Sequence, residues 1–442
     1  MNGVYGERTT RARRAGWLIA LAFVAAHIPL ALLMRQFNPL ATAHAFAVLA
    51  AGMWLAVLGR RPMQVGYVGA YIVGCEVLWR MSDAAVFWEF GKYAIIVIFV
   101  VALLRAPRLR LPGLPFVYFA LLLPSVALTF MRLPLRDAQQ QISFNLSGPL
   151  ALAVAAWFFS HLKLDGAQLG KIFVALLAPL VGIACVTLYG TLTAANLHFA
   201  GEANDVTSGG FGPNQVSAAL GLGALAAFWL LSNETLRLQQ RVLIFGLLLF
   251  LLVQSAMTFS RGGLYNTLGA CLLAALYLAR DGRARLRLLI TAALIFVLGY
   301  YLIVPGLDAF TGGTLLERFQ DTSLTGRDLL IRADLQIWFE HPLIGVGPGV
   351  SAIMHEAFFR EAAAHTEYSR LLAEHGALGL AAMLMLAAML LGNLRRARTR
   401  RGKAVVVLLA GWSLLFMSNV AMRMVAPSFL IGLTFASLLP DE

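Results

Sequence analysis

The sequence is short of charged residues and of cysteines. Charged side chains make up only 13% of the 442 residues, whereas a soluble domain carries about 25%. The three cysteines stand singly inside apolar segments, at Cys75, Cys185 and Cys271, so neither a disulfide framework nor a cysteine metal site is expected. A soluble globular protein and a disulfide-rich secreted protein are both excluded. The 60% of hydrophobic residues instead predicts an all-α polytopic membrane protein.

The sequence also lacks a complete motif for a zinc ion or a nucleotide. His355-Glu356 begins as a zinc-binding helix does, but the second histidine would have to stand at position 359, which is Phe359. The glycine-rich run at 345–349 has the composition of a phosphate-binding loop, but no lysine follows its second glycine. We therefore predict no metal ion and no other cofactor.

Apolar segments fill most of the chain, and many are close to the length of about 20 residues that crosses a bilayer. Because several are short, we expect about 12–14 transmembrane helices in a single membrane domain over residues 1–442. The segments are 16–34, 40–58, 63–79, 91–104, 113–131, 148–162, 170–192, 214–232, 242–258, 264–279, 288–304, 377–393, 404–420 and 427–439.

Clusters of lysine and arginine all fall on one side of the membrane if these segments alternate in direction. Positively charged short loops remain in the cytoplasm, so both termini are expected there. The net charge of +13 then sets topology, and nucleic acid is not expected as a partner. The clusters are 8–14, 60–61, 105–110, 163–171, 237–241, 280–287 and 395–403.

The one long polar interval, residues 305–376, is then a large loop on the outer side, the periplasm of a bacterial inner membrane. Its apolar spacing predicts a helix over 326–340 with Thr325 as N-cap. A turn follows, and a second helix is predicted over 351–375, ending near Gly376. A membrane protein with its polar residues in one loop is expected to do its chemistry at that face.

Several arginines lie on the outer side, against the usual distribution of positive charge. Arg261 stands between two apolar segments with almost no loop, where an arginine is costly unless it meets a carboxylate or a bound anion. Arg132 and Arg136 are four residues apart and would share one side of a helical turn, although Pro134 interrupts it. Guanidinium groups bind phosphate in a bidentate manner. We therefore predict an anionic substrate, a phosphate or diphosphate, at the outer leaflet.

His365 is the strongest candidate for a general base. On the second loop helix, Glu361 lies four residues before His365 and Tyr368 three residues after it, so the three share one face, and a carboxylate beside an imidazole raises the basicity of the imidazole. Spacing alone also allows an interfacial helix with ordinary polar residues. His341, which precedes the glycine-rich turn, is the next candidate.

Four stretches, in this order, resemble the O-antigen ligase and O-antigen polymerase superfamily of bacterial envelope glycosyltransferases. They lie at 211–215, 260–263, 326–349 and 365–379. The resemblance implies a GT-C-like fold and metal-independent glycosyl transfer at the periplasmic face of the inner membrane. The implied donor is a glycan linked to undecaprenyl diphosphate, and the acceptor in ligases is a sugar hydroxyl of lipid A–core.

The resemblance also implies roles for individual residues. It makes His365 the essential histidine and general base of an inverting reaction, and Arg261 the outer-face arginine that holds the diphosphate. Arg136 matches by position only. Further members of the expected site are Arg132, Arg327, Asn214, Tyr368 and Glu367.

Three functions remain open at this point. The loop is shorter than in many polymerases, which favours an O-antigen ligase. An O-antigen polymerase would use the same donor and the same chemistry. A transporter of lipid-linked glycans would need polar residues through its spans, and Glu76 is the main example here.

Overall fold

The computed structural model describes residues 2–106, 110–199, 201–232, 236–321, 327–356 and 366–439. Nearly all regular structure in these ranges is helical, which confirms the all-α polytopic fold. A short parallel pair of strands joins β1 (Lys163–Leu164) to β2 (Ser437–Leu438).

The α-helices follow one another with short connections. They are α1 (Asn2–Gln36), α2 (Asn38–Leu58), α3 (Pro62–Met81), α4 (Phe90–Leu104), α5 (Gly113–Ala120), α6 (Val126–Arg132), α7 (Leu135–Ser160), α8 (Gly166–Thr193), α9 (Pro213–Leu231), α10 (Leu238–Met257), α11 (Arg261–Leu278), α12 (Gly282–Leu298), α13 (Val304–Thr311), α14 (Thr314–Gln320), α15 (Arg327–Glu340), α16 (Val350–Glu356), α17 (Glu367–Arg396), α18 (Arg400–Met417) and α19 (Ala426–Leu433). A 3-10 turn lies at Val206–Ser208, and a π-helical turn at Gly299–Ile303 joins α12 to α13.

Eight helical stretches in the described ranges are long and apolar enough to cross a membrane. The expected segment 113–131 is divided into α5 and α6, and 427–439 contains only the short helix α19. A run of apolar residues therefore overestimates the number of long apolar helices, because it does not show where the backbone breaks. The eight are Gly16–Gln36, Asn38–Leu58, Leu135–Ser160, Gly166–Thr193, Pro213–Leu231, Leu238–Met257, Gly282–Thr311 and Glu367–Arg396.

The core is built from helices of both halves of the chain. Buried residues are dense on α3, α7, α8, α9 and α18, whereas α12 buries none of its side chains. At the crossing of α9 and α11, Gly263 lies against the backbone of Ser217, so a side chain at 263 would collide with it. Small residues at such crossings let membrane helices approach closely.

A chain of buried hydrogen bonds connects the first three helices. Trp79 Nε1 donates to His44 Nδ1 at 3.0 Å, and His44 Nε2 lies 2.9 Å from the Tyr71 hydroxyl. The same hydroxyl lies 2.8 Å from His27 Nε2, and His27 Nδ1 lies 2.7 Å from the Phe23 carbonyl oxygen. The indole can only donate, so His44 Nδ1 accepts and His44 is neutral, whereas the carbonyl can only accept, so His27 Nδ1 carries a proton.

Several of the positive clusters lie at one end of the bundle, and the polar loop lies at the other. Arg400 Nη1 donates to the Arg280 carbonyl at 3.1 Å, and Arg105 Nη1 donates to the Gly59 carbonyl at 3.1 Å. These contacts join clusters that are far apart in sequence. Because successive helices alternate in direction, one end of the bundle carries positively charged connections and the other end carries the polar loop.

The helices of the polar loop differ in part from the expectation. Helix α15 matches the predicted segment 326–340, while its expected N-cap, Thr325, lies outside the described residues. The single helix predicted over 351–375 is wrong, because α17 begins only after Thr366, which is extended and caps it through a hydrogen bond from Ser369 N. The predicted helix end near Gly376 agrees with the structure, because Gly376 has a non-helical backbone, at φ 60° and ψ −136°, and α17 consists of two helical parts on either side of this kink.

Candidate active site

The glycine-rich turn before α16 is bound to the first turns of α17. Val346 N donates to the Ala373 carbonyl at 3.0 Å, and Gly347 N donates to the Glu374 carbonyl at 2.9 Å. Ala377 N donates back to the Pro342 carbonyl at 2.7 Å. Backbone groups that a phosphate-binding loop would offer to a ligand are thus used within the protein, so this turn connects elements of the loop.

The end of α6 packs against the same turn. Thr129 Oγ1 donates to the Pro348 carbonyl at 3.1 Å, and Arg132 Nη1 donates to the Val346 carbonyl at 3.3 Å. Arg136 is exposed in the first turn of α7. Pro134 caps α7 and separates the two arginines, so they do not share one helical turn as considered from their spacing.

A buried ion cluster lies beneath the turn. Arg370 contacts Glu367 at 2.6 Å and Glu374 at 2.5 Å, and it donates to Asn145 Oδ1 at 3.1 Å. Glu374 also accepts from Gly349 N at 2.8 Å. Glu367, a candidate from the sequence, therefore pairs with a buried arginine. Removal of either partner would leave an uncompensated charge in a low-dielectric environment.

The carboxylate of Asp334 ties α15 to α16 and α17. Ser369 Oγ donates to Asp334 Oδ2 at 2.6 Å, and the hydroxyl groups of Ser369 and Thr366 lie 2.7 Å apart. His355 Nε2 lies 3.1 Å from Asp334 Oδ1, with both side chains buried. His355 therefore belongs to the packing of the loop helices.

A second cluster surrounds Arg80 at the end of α3. Its guanidinium contacts Glu76 at 2.9 Å and donates to Gln215 Oε1 at 2.7 Å. It also donates to the Arg423 carbonyl at 3.2 Å and stacks over the Trp88 ring at 4.3 Å. Glu76, the main charged residue that the sequence analysis noted within an apolar segment, is thus paired with a cation one helical turn away.

Lys92 adds a fully buried positive charge to the same region. Its side chain is fully buried, and Nζ has no hydrogen-bond partner among the described residues. Nζ and the Arg423 guanidinium each lie 5.8 Å from the centroid of the Phe144 ring. A buried ammonium group without a partner is costly, which marks functional sites in membrane proteins.

Arg423 lies in the connection between α18 and α19, in the same positive region. Burial lowers the pKa of its guanidinium, the nearby charge of Arg370 lowers it further, and Glu367 opposes both effects. Burial is the largest of these effects, so the lowered pKa of Arg423 mainly reflects the desolvation of its guanidinium.

The motifs at 211–215 and 260–263 meet beside the region of Arg80, Lys92 and Arg423. Ser260 Oγ donates to Asn214 Oδ1 at 2.7 Å, and Ser217 Oγ donates to the Ser260 carbonyl at 2.8 Å. Arg261 is the first residue of α11, and its Nη1 donates to the Asp321 carbonyl. Because Gln215 contacts Arg80, the stretches at 211–215 and 260–263 adjoin the second cluster.

A cavity of about 220 Å³ opens at Arg80. Aromatic rings form much of its wall, together with two carboxylates; the lining includes Glu76, Trp79, Arg80, Asp83, Trp88 and Phe211. From Arg80 the polar contacts continue through Arg423 and the Met422 amide, which donates to Glu367 at 3.0 Å. Backbone contacts of the segment 422–423 thus link Arg80, which lines the cavity, to Glu367 of the ion cluster.

Residues 245–384 match the family model described as O-antigen ligase. This segment belongs to the O-antigen ligase and O-antigen polymerase superfamily. The resemblance inferred from the four motifs is confirmed at that level, and the function is of the O-antigen ligase or polymerase type, a glycosyl transfer. A comparison of the chain with curated proteins finds no match.

The O-antigen ligase segment contributes Arg261, the glycine-rich turn and the ion cluster of Arg370. Arg80 and Lys92 come from helices that precede it, so the site combines both halves of the chain. Sequence reasoning did not select Lys92 as a candidate. The signal was present, because a lysine within the apolar run at 91–104 is a rare and costly placement.

The remaining candidate residues from the sequence are Glu361, His365, Arg327, Tyr368 and His341. Glu361 and His365 lie outside the described residues, and Arg327 is the first residue of α15. Since α17 begins at Glu367, Tyr368 does not lie on one continuous helix with position 365, and its hydroxyl donates to the Leu414 carbonyl at 2.8 Å. His341 is half-buried, and its carbonyl accepts from Gly345 N at 3.1 Å.

The described residues contain no group of three or more His, Cys, Asp or Glu side chains that could hold a metal ion.

Proposed function

We propose that this protein is an O-antigen ligase that moves a glycan from undecaprenyl diphosphate to a sugar hydroxyl of lipid A–core. The observation that carries the proposal is the positive charge of the fully buried Lys92 and of the half-buried Arg80 and Arg423, beside the family segment. A diphosphate leaving group develops negative charge as the glycosidic bond breaks, and preorganised cations stabilise that charge.

In the proposed reaction, His365 removes the proton from the acceptor hydroxyl, with Glu361 supporting the imidazole. The hydroxyl oxygen bonds to the anomeric carbon as the bond from that carbon to the phosphate oxygen breaks. Undecaprenyl diphosphate leaves, with Arg261 and the buried cations holding its charge. One displacement inverts the anomeric configuration, and the glycosyl–phosphate bond already carries the required energy. Arg132, Arg136 and Arg327 would bind outer parts of the anionic substrate.

We place this reaction at the periplasmic face of the inner membrane, with the whole chain as one membrane domain and both termini in the cytoplasm. The support is the position of several positive clusters at the end of the bundle opposite to the site. Short positive loops favour the cytoplasm, so the site and the loop 305–376 would face outward. A GT-C-like fold fits a glycosyltransferase with this arrangement.

An analysis of lipopolysaccharide in a deletion strain tests the proposal against an O-antigen polymerase and a transporter. Loss of a ligase leaves core-only lipopolysaccharide and accumulates long lipid-linked glycan at the periplasmic face. Loss of a polymerase leaves core capped with a single repeat, and loss of a transporter leaves the lipid-linked glycan at the cytoplasmic face. Either of the last two results would overturn the assignment, and restoration by the wild-type chain is the control.

A further inference from the structure

The cavity at Arg80 is built by residues that precede the O-antigen ligase segment. Its lining lies between Glu76 and Gly91, and Phe211 is added from the connection before α9. Its volume of about 220 Å³ is below the roughly 300–1,000 Å³ of pockets that enclose whole drug-sized ligands. The cavity is therefore of a size for one small ring, or for one residue of a longer chain.

Aromatic rings in the cavity wall remain accessible. Phe87 is 55% exposed and Trp88 is 40% exposed. The Arg80 guanidinium lies 4.3 Å from the centroid of the Trp88 ring and covers one of its faces. The Phe211 ring is tilted by 36° to the Trp88 ring, at a centroid separation of 6.2 Å. The rings therefore form neighbouring parts of one surface, against which a ligand with a flat apolar face can pack.

Asp83 adds a carboxylate with unused capacity for hydrogen bonds. Its side chain is 70% exposed, and its ion pair with Arg35 Nη1 is long, at 3.4 Å. Glu76 differs, because its two carboxylate oxygens accept from Arg80 and from Val425 N. An ionised carboxylate offers about four acceptor positions, so Asp83 can accept further hydrogen bonds from a ligand.

A sugar ring matches both parts of this wall. One face of a pyranose consists of C–H groups that pack on aromatic rings, and its rim carries hydroxyls that donate to a carboxylate. A phosphate gains nothing from the aromatic surface and is repelled by the charge of Asp83. An acyl chain matches the aromatic surface but offers no donor to the carboxylate.

We propose that this cavity binds one sugar ring of a glycan substrate. Trp88 and Phe211 would pack against the apolar face of the ring, and Asp83 would accept from its hydroxyls. The inference rests on the proposed glycosyl transfer and assigns a place where that reaction holds a sugar. The ring can belong to the lipid-linked donor or to the lipid A–core acceptor. Because these residues lie outside 245–384, the first half of the chain would determine the sugar preference.

Saturation-transfer NMR on the purified full-length protein, in a detergent without a sugar head group, tests the proposal through binding alone. The probes are the O-antigen repeat oligosaccharide, released from its lipid diphosphate, and the delipidated core oligosaccharide. Trp88→Ala should weaken binding about tenfold, and Trp88→Phe, which keeps a ring, should restore most of it. Trp54→Ala, at an exposed position of α2 outside the cavity, is the matched control. The probe that loses affinity identifies the source of the sugar.

Asp83→Asn should weaken binding of the same probe about fivefold, because a neutral acceptor binds hydroxyls less strongly than a charged one. Arg35→Gln removes the ion-pair partner and leaves the carboxylate in place, so it should not change the affinity. Equal losses in the two variants would reduce Asp83 to a partner of Arg35. If Trp88→Ala fails to accumulate, this pair of variants decides the proposal.

Wild-type affinity for both probes in Trp88→Ala, or no binding of either probe by the wild type, would overturn the sugar site. Transfer kinetics measured in parallel separate this inference from the proposed function. A wild type that transfers glycan, with KM for both substrates unchanged in Trp88→Ala, would contradict the sugar site alone. A wild type that binds a probe but transfers no glycan would contradict the transfer reaction alone.

Discussion

At the scale of single residues, the buried cations of this protein differ in what surrounds them. Arg370 lies between the carboxylates of Glu367 and Glu374, so its charge is balanced within the fold. Lys92 is equally buried, but its ammonium group has no hydrogen-bond partner among the described residues. We infer that Arg370 supports the structure, and we propose that Lys92 attracts the anionic substrate through its charge. Removing the charge of Arg370 should therefore lower the stability of the fold, whereas removing the charge of Lys92 should leave the fold intact and impair transfer.

Arg370→Met should destabilise the protein strongly. Removing one partner of a buried ion cluster costs about 3–5 kcal/mol, because the carboxylates remain buried without compensation. We expect a lower melting temperature in detergent and less protein in the membrane. Adding Glu367→Gln and Glu374→Gln should restore part of the stability. No recovery in the triple variant would contradict the assignment of a charge-balanced cluster.

Lys92→Met should leave the fold intact and impair transfer. The side chains have similar volume, and the change removes a buried charge that has no hydrogen-bond partner among the described residues. We expect a loss of about 10²–10³-fold in the transfer rate, the usual effect of removing one stabilising donor from a developing negative charge. Lys171→Met, at an exposed position in the first turns of α8, is the matched control. Wild-type turnover in Lys92→Met would remove Lys92 from the site.

His365→Ala should lose about 10²–10⁴-fold in rate if His365 is the general base. Binding of the donor should persist, because the cations hold the diphosphate and the histidine serves the acceptor. The base must be neutral to accept a proton, so the wild-type rate should fall as the pH drops below about 6.5, the usual imidazole pKa. A purified variant that retains more than about a tenth of the rate would exclude this role, and His341 would be tested next.

At the scale of elements, the glycine-rich turn determines how the loop helices meet the bundle. Gly345, Gly347, Gly349 and Gly376 all have positive φ, which side chains adopt only with strain. Their backbone lies directly against α6, α7 and α17. The glycines are therefore needed for close approach within the protein, and the turn holds α17 in the position where Arg370 meets its partners.

Gly347→Ala should loosen this junction. A Cβ there would lie 2.6 Å from Thr129 Oγ1, and the backbone φ is 101°. We expect destabilisation of about 1–3 kcal/mol and faster proteolysis within the loop. Gly170→Ala, in α8, has open space around its Cβ position and should be neutral or stabilising by about 0.5–1 kcal/mol. Equal thermal stability of the two variants would contradict the packing role of Gly347.

At the scale of the whole molecule, the two ends of the bundle carry different chemistry. One end carries several of the positive clusters. The other gathers the buried cations, the motifs at 211–215 and 260–263, and the polar loop. Because loop charge determines orientation during insertion, this separation makes a single orientation of the protein in the membrane favourable.

Single cysteines at Thr314 and Arg400, in a background without the three native cysteines, should be labelled from opposite sides of the inner membrane. Thr314→Cys should react with a membrane-impermeant reagent in intact spheroplasts, and Arg400→Cys only after permeabilisation. Lys171→Cys should behave as Arg400→Cys does, since both belong to positive clusters. Labelling of Thr314 and Arg400 from one side would reject the proposed topology.

The sequence by itself determined the membrane class, most of the helices and the position of the polar loop. These properties follow from hydropathy and loop charge, which are local and read from consecutive residues. Helix α15 was predicted within one residue of its start, and four short motifs were enough to identify the superfamily that the family model confirms.

Only the tertiary structure decided which polar groups meet. Val425 N donates to Glu76 across 349 positions of sequence, and Arg370 donates to Asn145 across 225. No local spacing encodes such contacts, since they depend on how helices from distant parts of the chain cross. Local spacing also did not show that α17 starts after Thr366. The Thr366 side chain caps the helix at this point, and its own backbone is extended. The hydropathy of consecutive residues determined which segments lie in the membrane, whereas the packing of distant helices decided where the buried charged side chains meet.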